Sequence, residues 1–207
     1  MLLDMQALKP VERYRLMIQT VVPRPVAWTL SRNENSSFNL APFSYFNALH
    51  SDPPLVMISV GNRREGAVKD TRRNIEREKF FVIHIASSTM ATTVTRTANP
   101  LPAEASEVED CGLELSTDWN FPLPRLKLPK VAMGCRLERV IEIGSNKQGL
   151  LFGEIQTLYV DDTICSKAGD RLLVDAMQLD PLGRLGGDDY GTLGKVFTVS
   201  RPPYVPS

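Results

Sequence analysis

Two runs, Val131 to Ile143 and Gly149 to Val160, alternate apolar and polar side chains well enough to be two long strands, and only Gly144-Ser145-Asn146-Lys147-Gln148 separates them. Alternation of this kind puts every second side chain on one face of a strand. So short a connection cannot hold a parallel crossover, which needs about a dozen residues or more, so the two runs must pair as an antiparallel hairpin. Any fold for this chain has to be built around that ribbon.

The other segments fit the same plan. Val26 to Leu30 reads as a strand after Pro23-Arg24-Pro25, which cannot be helical. Ser31 to Ser37 is polar turn chemistry, and Phe38 to Phe46 is extended. Pro42 removes a ladder donor there, which suits a bulge or an edge strand. Asp52-Pro53-Pro54 is a break, Leu55 to Val60 a buried strand, and Asp70 to Lys79 a short helix with Asp70 as the expected N-cap. Phe80 to Ile85 is a further strand, residues 89 to 115 hold helical pieces, and Lys195 to Ser200 is expected as the last strand. Residues 1 to 18 read as a helical or irregular lead-in. The six or seven strands, joined by hairpin-like connections without a βαβ rhythm, predict one mainly β domain over residues 1–207. The expected architecture is an antiparallel barrel with peripheral helices.

Composition bounds the partners. The 24 basic and 24 acidic side chains cancel, so no global charge draws the chain to nucleic acid or to an anionic membrane. No stretch approaches the ~20 apolar residues of a membrane helix, and Met1 to Gln6 lacks a basic, signal-like start. A cytoplasmic location is expected. Cys111, Cys135 and Cys165 are widely spaced and read as reduced thiols, and His50 and His84 have no partner at metal-ligand spacing, so no metal is expected.

One segment carries a chemical signal. Gly61-Asn62-Arg63-Arg64-Glu65-Gly66 has P-loop glycine spacing, but Ala67-Val68 stand where Lys-Ser/Thr should follow, which excludes an NTPase loop. A glycine-flanked loop with two arginines still leads into a helix start bearing Lys69 and Thr71, where backbone N–H groups and cations can meet one anion. Asp70 would repel that anion unless it turns toward its own helix. On the residues alone a solvated surface loop is the simpler reading.

Four motifs occur in register: Pro23-Arg24-Pro25-Val26-Ala27-Trp28, Phe38-Asn39-Leu40-Ala41-Pro42-Phe43-Ser44-Tyr45-Phe46-Asn47-Ala48, Asp52-Pro53-Pro54, and Lys69-Asp70-Thr71-Arg72-Arg73-Asn74-Ile75. Arg184-Leu185-Gly186-Gly187 with Tyr190, then Arg201-Pro202, follow near the end. Together they resemble the flavin reductase-like family of FMN-binding split barrels, which includes the flavoredoxins. The resemblance implies a split β-barrel homodimer with one FMN per subunit in a groove near the dimer interface. It places Ser44, Tyr45, Phe46, Asn47 and Ala48 along the isoalloxazine, Ser59 and Val60 beside the ribityl chain, and Arg63, Lys69, Asp70 and Thr71 at the phosphate. Trp28 would wall the ring, although aromatics on such strands usually fill core. Asp188 and Asp189 stand where some relatives carry a histidine.

The activity implied is that of an oxidoreductase passing hydride from NAD(P)H to flavin, with a small-molecule or protein acceptor. A flavoredoxin-like electron carrier and a non-catalytic flavin-binding dimer stay open as alternatives. Arg72, Arg73 and Arg77 with Glu76 and Glu78 read as a solvated helix face, and Trp119 as an anchor of its own proline-rich loop or of the dimer.

Overall fold

The computed structural model describes residues 1–63, 65–102 and 104–203. In chain order its elements are α1 (Pro10–Thr20), β1 (Arg24–Pro25), β2 (Ala27–Arg32), β3 (Phe38–Phe43), β4 (Phe46–Ser51), β5 (Pro54–Val60), α2 (Asp70–Glu78) and β6 (Phe80–Ile85). Next come α3 (Ala91–Arg96), α4 (Glu107–Asp110), β7 (Leu115–Ser116), β8 (Arg125–Leu126), β9 (Val131–Ile143) and β10 (Gln148–Val160). The chain finishes with β11 (Cys165–Ala168), β12 (Arg171–Val174), α5 (Ala176–Leu179), β13 (Gly183–Arg184) and β14 (Tyr190–Gly191).

The long hairpin is the spine, as expected: β9 pairs antiparallel with β10 along its whole length, with two register shifts. Around it lies a seven-stranded sheet in the order β3-β2-β6-β9-β10-β5-β4, antiparallel at every pairing. The sheet curls until β3 meets β5, which gives the split barrel. β3, which carries Pro42, is an edge strand as the proline demanded.

Alternation along the strands separates two cores. Ala27, Phe81, Ile83, Cys135 and Leu151 point inward with Val56, Ile58 and Val60. Trp28, Leu30, Leu40 and Val82 point outward and are covered by Met90, Val94, Val108, Leu123 and Leu126. Glycine matters where that cover comes close: a Cβ on Gly134 would stand 2.7 Å from the Phe121 ring. Trp119 anchors its loop by donating its ring N–H to the Leu123 carbonyl at 2.8 Å.

Three expectations are corrected. The extended run Phe38 to Phe46 is two strands, because the chain turns at Ser44-Tyr45 before β4. Lys195 to Ser200 pairs with nothing among the described residues and is not a strand. Arg72 is buried: its guanidinium bonds Glu76 at 2.9 Å, Glu142 at 2.6 Å and the Lys147 carbonyl at 3.0 Å, fastening α2 to the hairpin turn.

Candidate functional site

α2 is held to β2 and β3 by a buried polar layer. Asn39 donates to the Thr71 hydroxyl at 2.9 Å and to Ser31 at 3.3 Å, while Asn74 donates to the Asn33 side-chain oxygen at 2.7 Å and to Ser31 at 3.3 Å. Satisfied buried amides of this kind fix one geometry, since an unmatched partner costs ~1–3 kcal/mol. The layer aims the first turn of α2 at a surface cleft. Lys79, in the left-handed conformation with φ 65°, ends the helix at its other end.

The cleft holds about 160 Å³ and is walled by Asn39, Ala41, Pro42 and Phe43 of β3, by Arg63, Lys69, Asp70 and Thr71, by the loop Thr97 to Leu101, and by Glu107. Lys69, not Asp70, occupies the N-cap position, and no side chain caps the helix. The leading N–H groups of α2 therefore lack intrahelical acceptors, and the helix dipole adds partial positive charge there. Asp70 is the first helical residue, and its carboxylate pairs with Arg63 and, at 2.6 Å, with Arg73. The repulsive carboxylate foreseen at an anion site is thus neutralised sideways by two guanidinium groups.

Lys69 differs from both arginines. Among the described residues no carboxylate lies within ion-pair distance of it; its ammonium stands 5.8 Å from the centre of the Phe43 ring. Partial burial, and then the neighbouring Arg63, push its pKa down. Glu107 has the opposite strain: burial pushes its pKa up, while the carboxylate accepts the Leu40 N–H at 2.9 Å.

Pro42 and Ala98 also line a second depression of about 140 Å³, with Val26, Ser44, Arg184 and Tyr190. Ser44 continues that depression into a third of about 430 Å³, lined by Met17, Val21, Pro23, Tyr45, Phe46, Asn47 and Met57. The three depressions are neighbours: Pro42 and Ala98 line both the first and the second, and Ser44 lines both the second and the third, in order from the head of α2 past the end of β3 to the start of β4. Arg24 lines the third depression and braces it, donating to the carbonyls of Val21 and Leu185, each at 2.8 Å, and reaching the Ser44 hydroxyl at 3.4 Å. The Arg184 guanidinium stands over the Tyr190 ring, 4.5 Å from its centre.

The residues foreseen from sequence divide accordingly. Arg63, Lys69, Asp70 and Thr71 converge on the cleft, and Ser44, Tyr45, Phe46 and Asn47 line the far depressions. Ala48 is exposed on β4 beyond them. Ser59 and Val60 stand behind the groove: Ser59 donates its N–H to the Tyr45 carbonyl at 2.8 Å and accepts from Gln148 at 2.6 Å, and Val60 is core. Trp28 is a correction. It has no exposed surface, and its ring N–H donates to Thr97 at 2.9 Å, so it supports the cleft wall from inside instead of facing a ligand. Arg64 lies outside the described residues. Sequence reasoning missed Asn39, the Thr97 to Leu101 loop, Glu107 and Arg24. Asn39 and Arg24 were within reach, as polar residues at buried-phase positions of strands.

This row of depressions forms a groove with an anion-receptive end and an apolar, hydrogen-bonding end, which fits a phosphorylated planar heterocycle. The model for the flavin reductase like domain matches residues 19–175. The Halalkalibacterium halodurans protein BH2278 is 35% identical over 98% of this chain and 97% of its own length. Nitrilotriacetate monooxygenase component B from Bacillus cereus superposes with a TM-score of 0.88 at 30% identity, covering 96% of this chain and 98% of the other. The 2-nitrobenzoate 2-nitroreductase NbaA from Pseudomonas fluorescens gives 0.87 at 28% identity, covering 100% and 99%. On the domain match and on identity over nearly full length, this chain belongs to the flavin reductase-like family.

Proposed function

We propose that the protein is an FMN-binding oxidoreductase of flavin reductase type that uses NAD(P)H as electron donor, passes electrons to a small-molecule or protein acceptor, and works as a homodimer. The observation that carries this reading is the Lys69 ammonium, without a carboxylate partner among the described residues, at the uncapped head of α2 inside a groove. A cation in that state, beside open backbone donors, is a site waiting for an anion. Both solved relatives bear redox names, a monooxygenase component and a nitroreductase, which supports oxidoreductase chemistry.

In this reading Lys69, Arg63 and the first turn of α2 hold the phosphate. Asp70, occupied by Arg63 and Arg73, does not oppose it. The ring follows Pro42 and Ser44 toward Tyr45, Phe46 and Asn47. When bound, the isoalloxazine supplies the redox chemistry, so the chain needs to hold and orient and does not need a nucleophile with its base.

Lys69→Ala and Arg63→Ala test the assignment. Each should weaken FMN binding about 10- to 150-fold, from ~1.5–3 kcal/mol of charge-assisted hydrogen bonding. Riboflavin, with the same ring and no phosphate, should bind both variants as it binds the parent. Equal loss of both ligands, or loss of neither, would remove the phosphate from this cleft. NADH or NADPH should also bleach bound flavin anaerobically far faster than it bleaches free FMN. Without that acceleration the protein is an electron carrier or a binder.

A further inference from the structure

The last segment of the chain is written as a strand but has no sheet. Lys195-Val196-Phe197-Thr198-Val199-Ser200 is rich in β-branched and aromatic residues, which favour a half-buried pleated surface. The structure nevertheless leaves it outside every sheet among the described residues, beyond β14. Val196 is 59% exposed, Phe197 75% and Val199 79%. Large apolar side chains in a row, on a backbone with open N–H and C=O groups, are what an added strand presents.

The barrel has two sheet edges, and they differ. The outer side of β3 is covered: the Leu40 N–H is taken by Glu107 and the Phe38 carbonyl by the Ser106 hydroxyl at 2.8 Å. The outer side of β4 is open. The Tyr45 carbonyl accepts the Ser59 N–H, so strand alternation turns the backbone groups of Phe46 and Ala48 away from β5. β4 is six residues long, as is the segment Lys195 to Ser200, and from Asn47 onward it is exposed, with Leu49 46% exposed. The apolar depression around Met17, Val21, Phe46 and Met57 adjoins it.

We propose that residues 195–200 of one copy of this chain add as a strand to the β4 edge of a second copy. The proposal rests on the self-association put forward above and names the segment that makes it. The eight or so residues from Gly191 to Val199 span at most about 28 Å when extended, enough to cross between two barrels in contact.

Two measurements on the full chain without added flavin test it, so its failure stays separate from that of the FMN assignment. Sedimentation equilibrium should show a dimer for the parent and, for Phe197→Asp/Val199→Asp, a dissociation constant raised about a hundredfold or more, as for buried interface anchors. These side chains are exposed in the single chain, so far-UV circular dichroism should be unchanged. Phe197→p-benzoylphenylalanine, photolysed in a mixture of isotope-labelled and unlabelled chains, should crosslink to the peptide holding residues 46–51 in mixed-isotope pairs. A parent that is monomeric at micromolar concentration would overturn both the arm and the dimer. A dimer unmoved by the two aspartates, crosslinks confined to one chain, or crosslinks elsewhere would overturn the arm alone.

Discussion

His84 on a barrel strand and Lys69 at the head of the helix α2 are both titratable groups, and their surroundings treat them in opposite ways. His84 is fully buried on β6, and both ring nitrogens are used: Nδ1 meets the Trp28 carbonyl at 3.0 Å, and Nε2 accepts the Leu126 N–H at 2.9 Å. That pattern fixes the neutral ring with its proton on Nδ1. Lys69 lines a cleft, lowered in pKa by burial and by Arg63, with no acid paired to it among the described residues. A buried group with every bond made closes a structure, whereas a charged group left with unmet demand is available to a ligand. The contrast separates scaffold from site without reference to any relative.

The largest expected effect breaks the comparison if Trp28 has been placed on the wrong side of it. Trp28→Ala should destabilise the fold by about 3–5 kcal/mol, the usual range for emptying a large aromatic from a closed core. Urea unfolding measures this. A loss below ~1 kcal/mol accompanied by loss of flavin binding would return Trp28 to the groove.

His84 gives the next effect. Burial, followed by the Trp28 contact acting in the other sense, leaves its pKa lowered from 6.5 to about 4. Between those values the unfolded chain takes up the proton and the folded chain does not, so stability is full above pH 6.5 and falls as the pH drops toward 4. The loss should reach roughly 3 kcal/mol, at ~1.4 kcal/mol per pKa unit. Carboxylates titrate in the same window, so unfolding of His84→Gln over the same pH range isolates the ring. An unchanged pH slope would show that His84 titrates alike in the folded and unfolded chain, against a buried neutral ring. Lys69→Ala then sharpens the other half. Its roughly 10- to 150-fold loss of FMN affinity should be absent in Lys127→Ala, where the lysine is paired 2.8 Å from Glu114 and lies outside the groove.

The strands, their antiparallel class and their buried faces are largely legible in the sequence because one period governs them, whereas the strand order is not. Alternation on β2, β6, β9 and β10 states which side chains face inward, and the short turn at residues 144–148 leaves a single way to pair the ribbon. Trp28 is misread from sequence because period two gives the face of a residue and not whether that face is covered. The cover comes from Val94, Leu123 and Leu126, far along the chain. Propensity points to Asp70 as N-cap, but its carboxylate meets a stronger demand from Arg63 and Arg73 in space. The far wall of the cleft, Thr97 to Leu101 and Glu107, has no local signature, since loops gain such roles only from tertiary placement. The β-propensity of residues 195–200 is legible in the sequence, but no strand pairs with them among the described residues.

The smallest effect concerns Glu107, an acidic group of the cleft wall that no cation holds among the described residues. Its carboxylate accepts the Leu40 N–H, and burial raises its pKa. An FMN phosphate seated at Lys69 would add a second anion across the cleft. Glu107→Gln keeps an acceptor for Leu40 while removing the charge, so FMN should bind the variant more tightly than the parent at neutral pH. A like-charge repulsion of ~0.4–1 kcal/mol across a solvated cleft corresponds to about two- to fivefold. The gain should shrink as the pH falls through the raised pKa of Glu107, because the parent then loses the same charge by protonation. The phosphate takes up its own second proton near pH ~6, which weakens the repulsion in the parent and shrinks the gain in the same direction. Riboflavin should show no difference between them at any pH. A gain shared by riboflavin would mean that the substitution reshapes the wall. No gain with FMN would place the phosphate out of reach of Glu107 and turn the Lys69 ammonium toward another anion.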